Sequence, residues 1–236
     1  MFQKIIKGIK KPKLFFTYFQ QITHKYIEAL WAILDARSIN HYENVLFIDL
    51  GANLGQGFTW FSKFFNKNNI TFELFEPNPN CYRELIKLPR IASGEVLALN
   101  AGAGLETGTA KFYGLGEEEG GDLSQGGSVL RDHNSDWYDA SEDSAINIKL
   151  INFSEYLEKK SSHFNKIIVK MDIEGAEVDL LEGLIKRKSI FHIDVLYLEF
   201  HSQYQQKVQS RKTRARELKI IEYLKNLEDF KLRIWH

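Results

Sequence analysis

Two acidic residues stand at the ends of apolar runs of the kind that form buried strands. Val45–Leu50 carries Asp49 two residues before Gly51, and the run over residues 71–75 is followed directly by Glu76. Parallel strands end at one edge of their sheet, so both carboxylates are expected to lie at a common ligand site. Glu76 can accept hydrogen bonds from both hydroxyls of a ribose, and Pro77 favours extended backbone before it. The pattern indicates a cofactor with an adenosine-like half.

The glycine turn between these acids narrows the choice of cofactor. Gly51 permits a sharp turn and a close approach of ligand to backbone, and the amides of a helix beginning at Leu54 would suit a carboxylate or phosphate. In a dinucleotide fingerprint read from Gly55, the third glycine would fall at Trp60. The pyrophosphate motif is therefore absent, which disfavours a nicotinamide-dependent oxidoreductase. A cofactor with an amino acid end fits better, and S-adenosylmethionine is the obvious one.

A second group of ionisable residues follows two later strand patterns. Asp172 and Glu174 come after Lys166–Met171, and Glu199 and His201 close the run over residues 194–200. Close carboxylates can raise one another's pKa, and histidine titrates near neutral pH, so the group is suited to proton transfer. Carboxylate oxygens of Asp172 and Glu199 could alternatively hold a divalent cation such as Mg²⁺. A plain helix N-cap is the structural alternative for Asp172 or Glu174.

The elements that must position these residues alternate between strand and helix patterns. Besides Val45–Leu50 and Lys166–Met171, the sequence predicts strands over residues 71–75, 95–99, 146–150, 194–200 and 231–235. It predicts helices over residues 54–65, 79–88, 153–160, 176–186 and 210–227, and a short hairpin over residues 102–113. Such alternation indicates an α/β domain with a mostly parallel sheet covered on both faces.

Composition limits the class of protein. With 236 residues and 44% hydrophobic content, the chain is expected to form one domain with additional segments, in preference to two domains. Basic and acidic residues balance at 31 each, which gives no global field for nucleic acid. One local basic run, residues 211–216, is more simply a solvated helix start than an RNA-binding face. Cys81 is the only cysteine, and no apolar run near the start suits a signal peptide, so we expect a cytoplasmic protein.

Two segments stand apart from the alternating pattern. Residues 1–44 form a predicted extension, in which a leader with Lys4, Lys7, Lys10, Lys11 and Lys13 precedes an amphipathic helix. The apolar positions of that helix are Leu14, Phe15, Tyr18, Phe19, Ile22, Tyr26, Ile27, Leu30, Trp31 and Leu34. We interpret it as a helix that covers the sheet or the cleft, or that forms a homodimer contact, in preference to peripheral membrane binding. Residues 45–236 form the main domain, and its polar loop at residues 114–145 is interpreted as lid-like, with a solvated insertion as the alternative.

Taken together, the chain resembles the FkbM-type family of S-adenosylmethionine-dependent O-methyltransferases. The resemblance rests on five stretches of sequence, which are residues 47–55, 75–79, 100–101, 170–177 and 198–201. It implies a class I methyltransferase fold, a Rossmann-like three-layer sandwich, and methyl transfer to a hydroxyl, often of a sugar in a glycan or glycosylated product. The block Asp172-Ile-Glu-Gly-Ala-Glu177 is its most specific part.

The resemblance also implies roles for individual residues. Asp49, Gly51, Asn53 and Gly55 would line the methionine half of S-adenosylmethionine, Glu76 with Pro77 would hold the ribose, and Asn100 with Ala101 would lie by the adenine or sulfonium. Asp172, Glu174, Glu199 and His201 would face the acceptor hydroxyl, with Asp172 or His201 as base. A full class I sheet has seven strands, whereas the sequence after His201 predicts one helix and one strand.

The function predicted from the sequence is therefore O-methylation of a sugar or glycan by S-adenosylmethionine. Two alternatives stay open at this point, which are a non-catalytic binding module with the same fold and a methyltransferase that acts on another small-molecule hydroxyl. The carboxylates at three strand ends argue against the binding module, because a module without chemistry does not need them.

Overall fold

The parallel sheet predicted from the sequence forms the centre of the domain. The computed structural model describes residues 12–115, 123, 126–132, 138 and 140–235, with side chains from residue 23 onward, so the leader over residues 1–11 lies outside the described part. The helices are α1 (Pro12–Ser38), α2 (Gln56–Phe61), α3 (Pro79–Leu85), α4 (Pro89–Ala92), α5 (Phe153–Ser161), α6 (Glu177–Lys186) and α7 (Lys207–Lys225). The strands are β1 (Val45–Leu50), β2 (Ile70–Phe75), β3 (Leu97–Leu99), β4 (Gly102–Gly104), β5 (Gly108–Phe112), β6 (Ile146–Asn152), β7 (Lys166–Met171), β8 (Val195–Leu198) and β9 (Lys231–Ile234).

Six strands form one sheet in the order β3-β2-β1-β7-β8-β9, and every neighbouring pair is parallel. The strand order reverses between β1 and β7, which are adjacent although they lie far apart in sequence. Open α/β sheets bind ligands outside the carboxyl ends of the strands at such a reversal. The topology therefore places a ligand cleft where β1 and β7 end.

Helices cover both faces of the sheet, because the side chains of each strand alternate between the faces. On β1, Leu46, Ile48 and Leu50 pack with α5, α6 and α7, whereas Val45 and Phe47 pack with α1, α2 and α3. The result is the predicted three-layer α/β sandwich.

Several predicted boundaries shift for local reasons. The helix predicted over residues 54–65 spans only Gln56–Phe61, since Gly55 has a left-handed φ of 87°. The helix predicted over residues 79–88 is divided into α3 and α4, with Pro89 as the first residue of α4. Proline lacks the amide hydrogen that would continue the preceding helix.

The hairpin predicted over residues 102–113 is wrong. β4 and β5 do not pair with each other, because β6 lies between them in a second sheet of order β4-β6-β5. β6 pairs in parallel with β4 and antiparallel with β5. The Gly- and Thr-rich composition correctly indicated two short strands, but their partner comes from more than thirty residues further along the chain.

The N-terminal helix is present as predicted, but it is turned the other way. α1 packs on the sheet through Ala32 and Ala36, which are buried, whereas Tyr26, Leu30 and Leu34 of the predicted packing face are exposed. The periodicity identified the apolar stripe correctly. The side that the domain buries is the opposite one, where small side chains allow close approach.

A buried carboxylate joins α1 to the edge of the sheet. Asp35 accepts hydrogen bonds from the Tyr197 hydroxyl at 2.8 Å and from Arg233 Nε and Nη2 at 3.0 and 2.9 Å. Lys231 Nζ donates to the Ser38 hydroxyl at 3.0 Å. Ser38 therefore lies near the start of β9 and Asp35 further along it, so α1 runs antiparallel to the sheet and its N-terminal end points towards the carboxyl edge.

Candidate active site

Four strand ends meet at the carboxyl edge of the large sheet. Leu50 of β1 is paired with Phe75 of β2 and Met171 of β7, and Met171 is paired with Leu198 of β8. The residues that follow these ends, Gly51, Glu76, Asp172 and Glu199, are therefore neighbours along one rim. The structure thus brings together the acidic residues that the sequence singled out.

The turn after β1 passes very close to the end of β7. Gly51 has a φ of +79°, and a Cβ at this position would lie 1.8 Å from the carbonyl oxygen of Asp172. Only glycine allows both the conformation and the approach. The turn also differs from the prediction, since the Leu54 amide donates to Asn53 Oδ1 at 2.8 Å and to Gln56 Oε1 at 3.1 Å. This amide is already satisfied within the turn and is not a free anion donor.

Glu76 is buried beside this turn and is held by backbone amides. Its Oε2 accepts from the Asn53 amide at 2.6 Å, and its Oε1 accepts from the Asn78 amide at 2.7 Å. Burial raises the pKa of Glu76 to about 7, against the opposing effect of these two hydrogen bonds. A carboxylate has about four acceptor sites, so two remain for hydroxyl donors of a ligand.

Asn100 acts behind this carboxylate. Its Nδ2 donates to the carbonyl oxygens of Glu76 and Pro77 at 2.9 and 3.2 Å, which fixes the backbone that carries Glu76. Ala101 is buried next to it. Neither residue lines the cleft, so the structure gives them a supporting position.

Lys170 is a buried residue of the site for which the sequence predicted no role. Its Nζ lies 3.1 Å from Asp49 Oδ1 and 3.0 Å from Asp172 Oδ2, and it donates to the Gly51 carbonyl at 3.1 Å. Burial alone would lower the pKa of Lys170, but the charges of Asp49 and Asp172 outweigh it and raise the pKa. Lys170 is therefore an ammonium that joins three parts of the rim. A lysine inside an otherwise apolar buried strand was the available signal.

Asp49 lies beneath the turn and is completely buried. Burial raises its pKa, and the charge of Lys170 opposes the rise. A Cβ at Gly57 would lie 2.9 Å from Asp49 Oδ2, so the carboxylate is covered by α2. Asp49 therefore acts on the site through Lys170, without lining the cleft.

His201 lies at the centre of the second acidic group. Its Nδ1 is 2.9 Å from Glu177 Oε1, and its Nε2 is 3.5 Å from Asp172 Oδ1, 3.6 Å from Glu174 Oε2 and 3.8 Å from Glu199 Oε1. Burial alone would lower the pKa of His201, but the hydrogen bond to Glu177 and the surrounding negative charges raise it to about 9. At neutral pH the ring is therefore an imidazolium and has no free lone pair.

Glu177 supports this arrangement from below and was not predicted as a site residue. It is buried, and its Oε1 also accepts from the amides of Ile173 and Gly175 at 3.0 and 3.1 Å. The loop that carries Glu174 is thus fixed on the same oxygen that faces His201. The available signal was its place at the end of the block Asp172–Glu177, the most specific part of the family resemblance.

Glu174 and Glu199, which remain partly open to solvent, have raised pKa values. Burial, with the charges of neighbouring acids, raises the pKa of Glu174 to about 8 and that of Glu199 to about 7, although the positive charge of His201 opposes both shifts. These groups titrate near physiological pH, as expected of a site that handles protons.

A cleft of about 380 Å³ lies over this rim, within the size range of small-molecule sites. Its polar wall contains Gly51, Asn53, Glu76, Pro77, Lys170, Asp172 and Glu174. The facing wall is apolar and comes from β4, β6, α6 and the 126–132 segment, with Ala103, Leu150, Leu180 and Leu130. Of the predicted site residues, Asp49, Gly55, Asn100, Ala101, Glu199 and His201 do not line it.

Comparisons with known proteins assign the family. The model of the methyltransferase FkbM domain matches residues 49–230. The chain belongs to the FkbM methyltransferase domain family. No curated protein sequence matches it significantly. The crystal structure of methyltransferase FkbM from Methylobacillus flagellatus KT aligns with a TM-score of 0.37 and 15% identity, covering 63% of this chain and 30% of that chain.

The FkbM match covers the carboxyl ends of all four strands that form the rim. It begins at Asp49 and ends after α7, so the glycine turn, Glu76 and the Asp172–His201 group all lie inside the matched region. α1 lies outside it. The chain spans about 30% of the length of the FkbM structure with which it aligns.

In this FkbM domain, Asp172, Glu199 and His201 offer oxygen and nitrogen atoms within 4.8 Å of one another. Two carboxylates and an imidazole fit a divalent cation in their chemistry. The proton on His201 Nε2 would have to leave first, because a ligating imidazole must be neutral. The cation expected from the sequence therefore stays a prediction.

The lid-like loop remains a prediction as well. Residues 116–122, 124, 125, 133–137 and 139 lie outside the described part of the chain. Its described part is joined to the small sheet by hydrogen bonds between Tyr113 and Ser128 at 2.8 and 3.1 Å. Leu130 of this part reaches the cleft, where it faces Gly175.

Proposed function

We propose that this FkbM domain transfers the sulfonium methyl group of S-adenosylmethionine to a hydroxyl group, and that the acceptor is a sugar in a glycan or glycoconjugate. One observation carries the proposal. The same cleft is lined by Glu76 and Asp172. Glu76 is held by two backbone amides and keeps acceptor sites for a ligand, and Asp172 lies among other acidic side chains. The first suits a ribose, and the second suits a hydroxyl that must lose a proton.

Glu76, Asn53 and the Gly51 turn would hold the cofactor through its ribose and its amino acid end. When bound, the cofactor supplies an electrophilic methyl group. In the transfer, the acceptor oxygen would form a bond to that carbon, the carbon–sulfur bond would break with its electron pair left on sulfur, and the hydroxyl proton would pass to a base of this chain. The chain therefore has to align two ligands and accept one proton.

Asp172 is the base that the geometry favours. His201 has a pKa of about 9 and Glu174 a pKa of about 8, so both are mainly protonated at neutral pH. Glu199 does not line the cleft, whereas Asp172 does. Lys170 and His201 would then orient Asp172 from two sides.

The acceptor class is supported more indirectly. Glu174 and Asp172 line the cleft and can accept hydrogen bonds from a hydroxyl-rich ligand. The absence of a basic, aromatic face among the described residues gives no support for a nucleic acid acceptor. The lone Cys81, which is buried, supports a reducing compartment and hence a cytoplasmic site of action.

Binding and turnover test the proposal separately. Isothermal titration should show saturable binding of S-adenosylhomocysteine by the wild-type protein and by Asp172→Asn, because Asp172 is assigned to proton removal. A labelled methyl donor offered with a panel of glycans and cell extracts should give a labelled product whose rate falls about 10²–10⁴-fold in Asp172→Asn. Asp143→Asn, an exposed acid away from the cleft, is the control.

Each contrary result points to a different alternative. If the wild-type protein shows no saturable binding of S-adenosylhomocysteine, the proposed methyltransferase function is refuted. Binding without any labelled product would favour the non-catalytic module, and label on a non-sugar hydroxyl would favour another small-molecule acceptor. Full activity in Asp172→Asn would remove Asp172 from the role of base.

A further inference from the structure

The outward face of α1 carries a continuous apolar stripe. Tyr26 and Leu30 are 71% and 53% exposed, and Ile27, Ile33 and Leu34 lie beside them at helical spacing. The stripe is opposite the face through which α1 packs on the sheet. Contiguous exposed apolar side chains of this kind mark a surface that meets another surface.

The sequence around this stripe has an unusual charge distribution. Residues 1–27 contain six lysines and no acidic residue. The whole chain has 31 basic and 31 acidic residues, so the remainder carries six more acids than bases. Lys13 and Lys25 belong to α1 itself. A helix with an apolar stripe and flanking lysines is typical of segments that lie in the interface of an anionic membrane.

A second copy of the chain is a poorer occupant for the same face. A twofold dimer through α1 would bring the same surface of each protomer together. Each protomer would also carry the six lysines of residues 1–27, and like net charges disfavour association of the two copies. An anionic lipid surface matches both properties, since it attracts the lysines and accepts the apolar side chains.

We propose that the outward face of α1 binds peripherally to a membrane that contains anionic lipid, to which the net positive charge of residues 1–27 attracts the chain. Among the described residues, no helix is long and apolar enough to cross a bilayer, so the contact is a surface one. α1 runs antiparallel to the sheet, with its N-terminal end towards the edge where the cleft lies. The membrane contact would therefore adjoin the cleft. The proposal does not depend on which acceptor is methylated.

Vesicle flotation with the full-length protein tests this proposal. The protein should float with vesicles of phosphatidylcholine mixed with phosphatidylserine, much less with phosphatidylcholine alone, and less as salt is added. Leu30→Glu should weaken partitioning about tenfold or more, since it removes one buried leucine from the contact. Lys10→Gln and Lys11→Gln should each weaken it about fivefold.

The matched control is Leu218→Glu on α7. Leu218 is 54% exposed, almost the same as Leu30 at 53%, and it also lies on a helix, so the substitution is chemically equivalent. It should leave partitioning unchanged. Ile33→Glu provides a second test on the stripe, and unchanged thermal unfolding midpoints would show that the variants are folded.

Three results would overturn the proposal. The first is failure of the wild-type protein to float with phosphatidylserine vesicles. The second is an equal loss in Leu218→Glu and Leu30→Glu. The third is a dimer in sedimentation velocity that Leu30→Glu dissociates, because the stripe would then be covered by a second copy.

Discussion

Replacing Lys170 by methionine should lower the free energy of unfolding by about 3–5 kcal/mol, the usual cost of removing one partner from a buried ion pair. The Lys170 side chain is 5% exposed and lies 3.1 Å from Asp49, which is 0% exposed. Methionine keeps much of the packing volume, so the loss comes from the missing positive charge. Asp49 would then be a buried carboxylate without a counter-charge.

Lys166→Met is the matched control, on the same strand and with the same substitution. Lys166 Nζ is only 2.6 Å from Asp194 Oδ1, but both side chains are 25% exposed. Ion pairs open to solvent typically contribute about 0–1 kcal/mol. If the distance between the charges decided the contribution to stability, Lys166→Met would be the more destabilising substitution. We expect burial to decide it, so Lys170→Met should be the more destabilising one.

The deficit of Lys170→Met should also depend on pH. Burial raises the pKa of Asp49 above its ordinary value of 3.8 even with Lys170 present, and the loss of Lys170 removes the largest effect that opposes this rise. A carboxylate whose pKa is higher in the folded state costs stability above its unfolded pKa. The deficit should therefore shrink as the pH is lowered towards 3.8, the ordinary pKa of an aspartate.

Urea unfolding followed by tryptophan fluorescence measures both effects. The double variant Lys170→Met/Asp49→Asn should recover part of the lost stability, because the unpaired charge is removed. A deficit below about 1 kcal/mol at neutral pH would refute the reasoning, since that is the value of an exposed pair. A deficit that stays constant across the pH range would refute the role of Asp49.

Three further predictions concern the rim and α1. The pKa of Glu76 is about 7, and ribose hydroxyls bind its charged form. The affinity for S-adenosylhomocysteine, measured by calorimetry, should therefore fall up to about tenfold for each pH unit below 7. A Glu76→Gln variant with the same pH dependence would contradict this prediction. Gly94→Ala should lower the free energy of unfolding by about 1–2 kcal/mol, because alanine is strained at a left-handed φ of +79°. Gly51 has the same φ, but its added Cβ would also meet a backbone oxygen, so Gly51→Ala should cost about 1–3 kcal/mol more in denaturant unfolding. Equal losses in the two variants would contradict the steric argument. Asp35→Asn should lower the free energy of unfolding by about 1.5–3 kcal/mol, because the hydrogen bonds from Arg233 would no longer be made to a charged acceptor. An unchanged midpoint in urea unfolding would contradict this prediction.

The elements of the large sheet were predictable because their signals are local. Val45–Leu50 and Lys166–Met171 were predicted with the bounds that the structure has, since each is an apolar run that ends before an acid or a glycine. Strands that end at one edge of a parallel sheet bring their following residues together without further information. For that reason Glu76 and Asp172 could be placed on one rim from the sequence.

The remaining features depend on contacts between distant parts of the chain. The roles of Lys170 and Glu177 come from burial and from distances to residues on other strands, which periodicity does not report. The stripe on α1 was visible, but which side of a helix meets the sheet depends on the partner surface. Here that partner accepts Ala32 and Ala36 and leaves Leu30 outside.

The position of β6 also affects the order in which the domain can fold. β6 is the middle strand of the small sheet, and it pairs with β4 and β5, which precede it by more than thirty residues. During synthesis, β4 and β5 emerge with no neighbour to complete their ladder. Long-range pairing of this kind closes a large loop and is slow compared with helix formation. The apolar wall of the cleft thus assembles only after Ile146–Asn152 has left the ribosome.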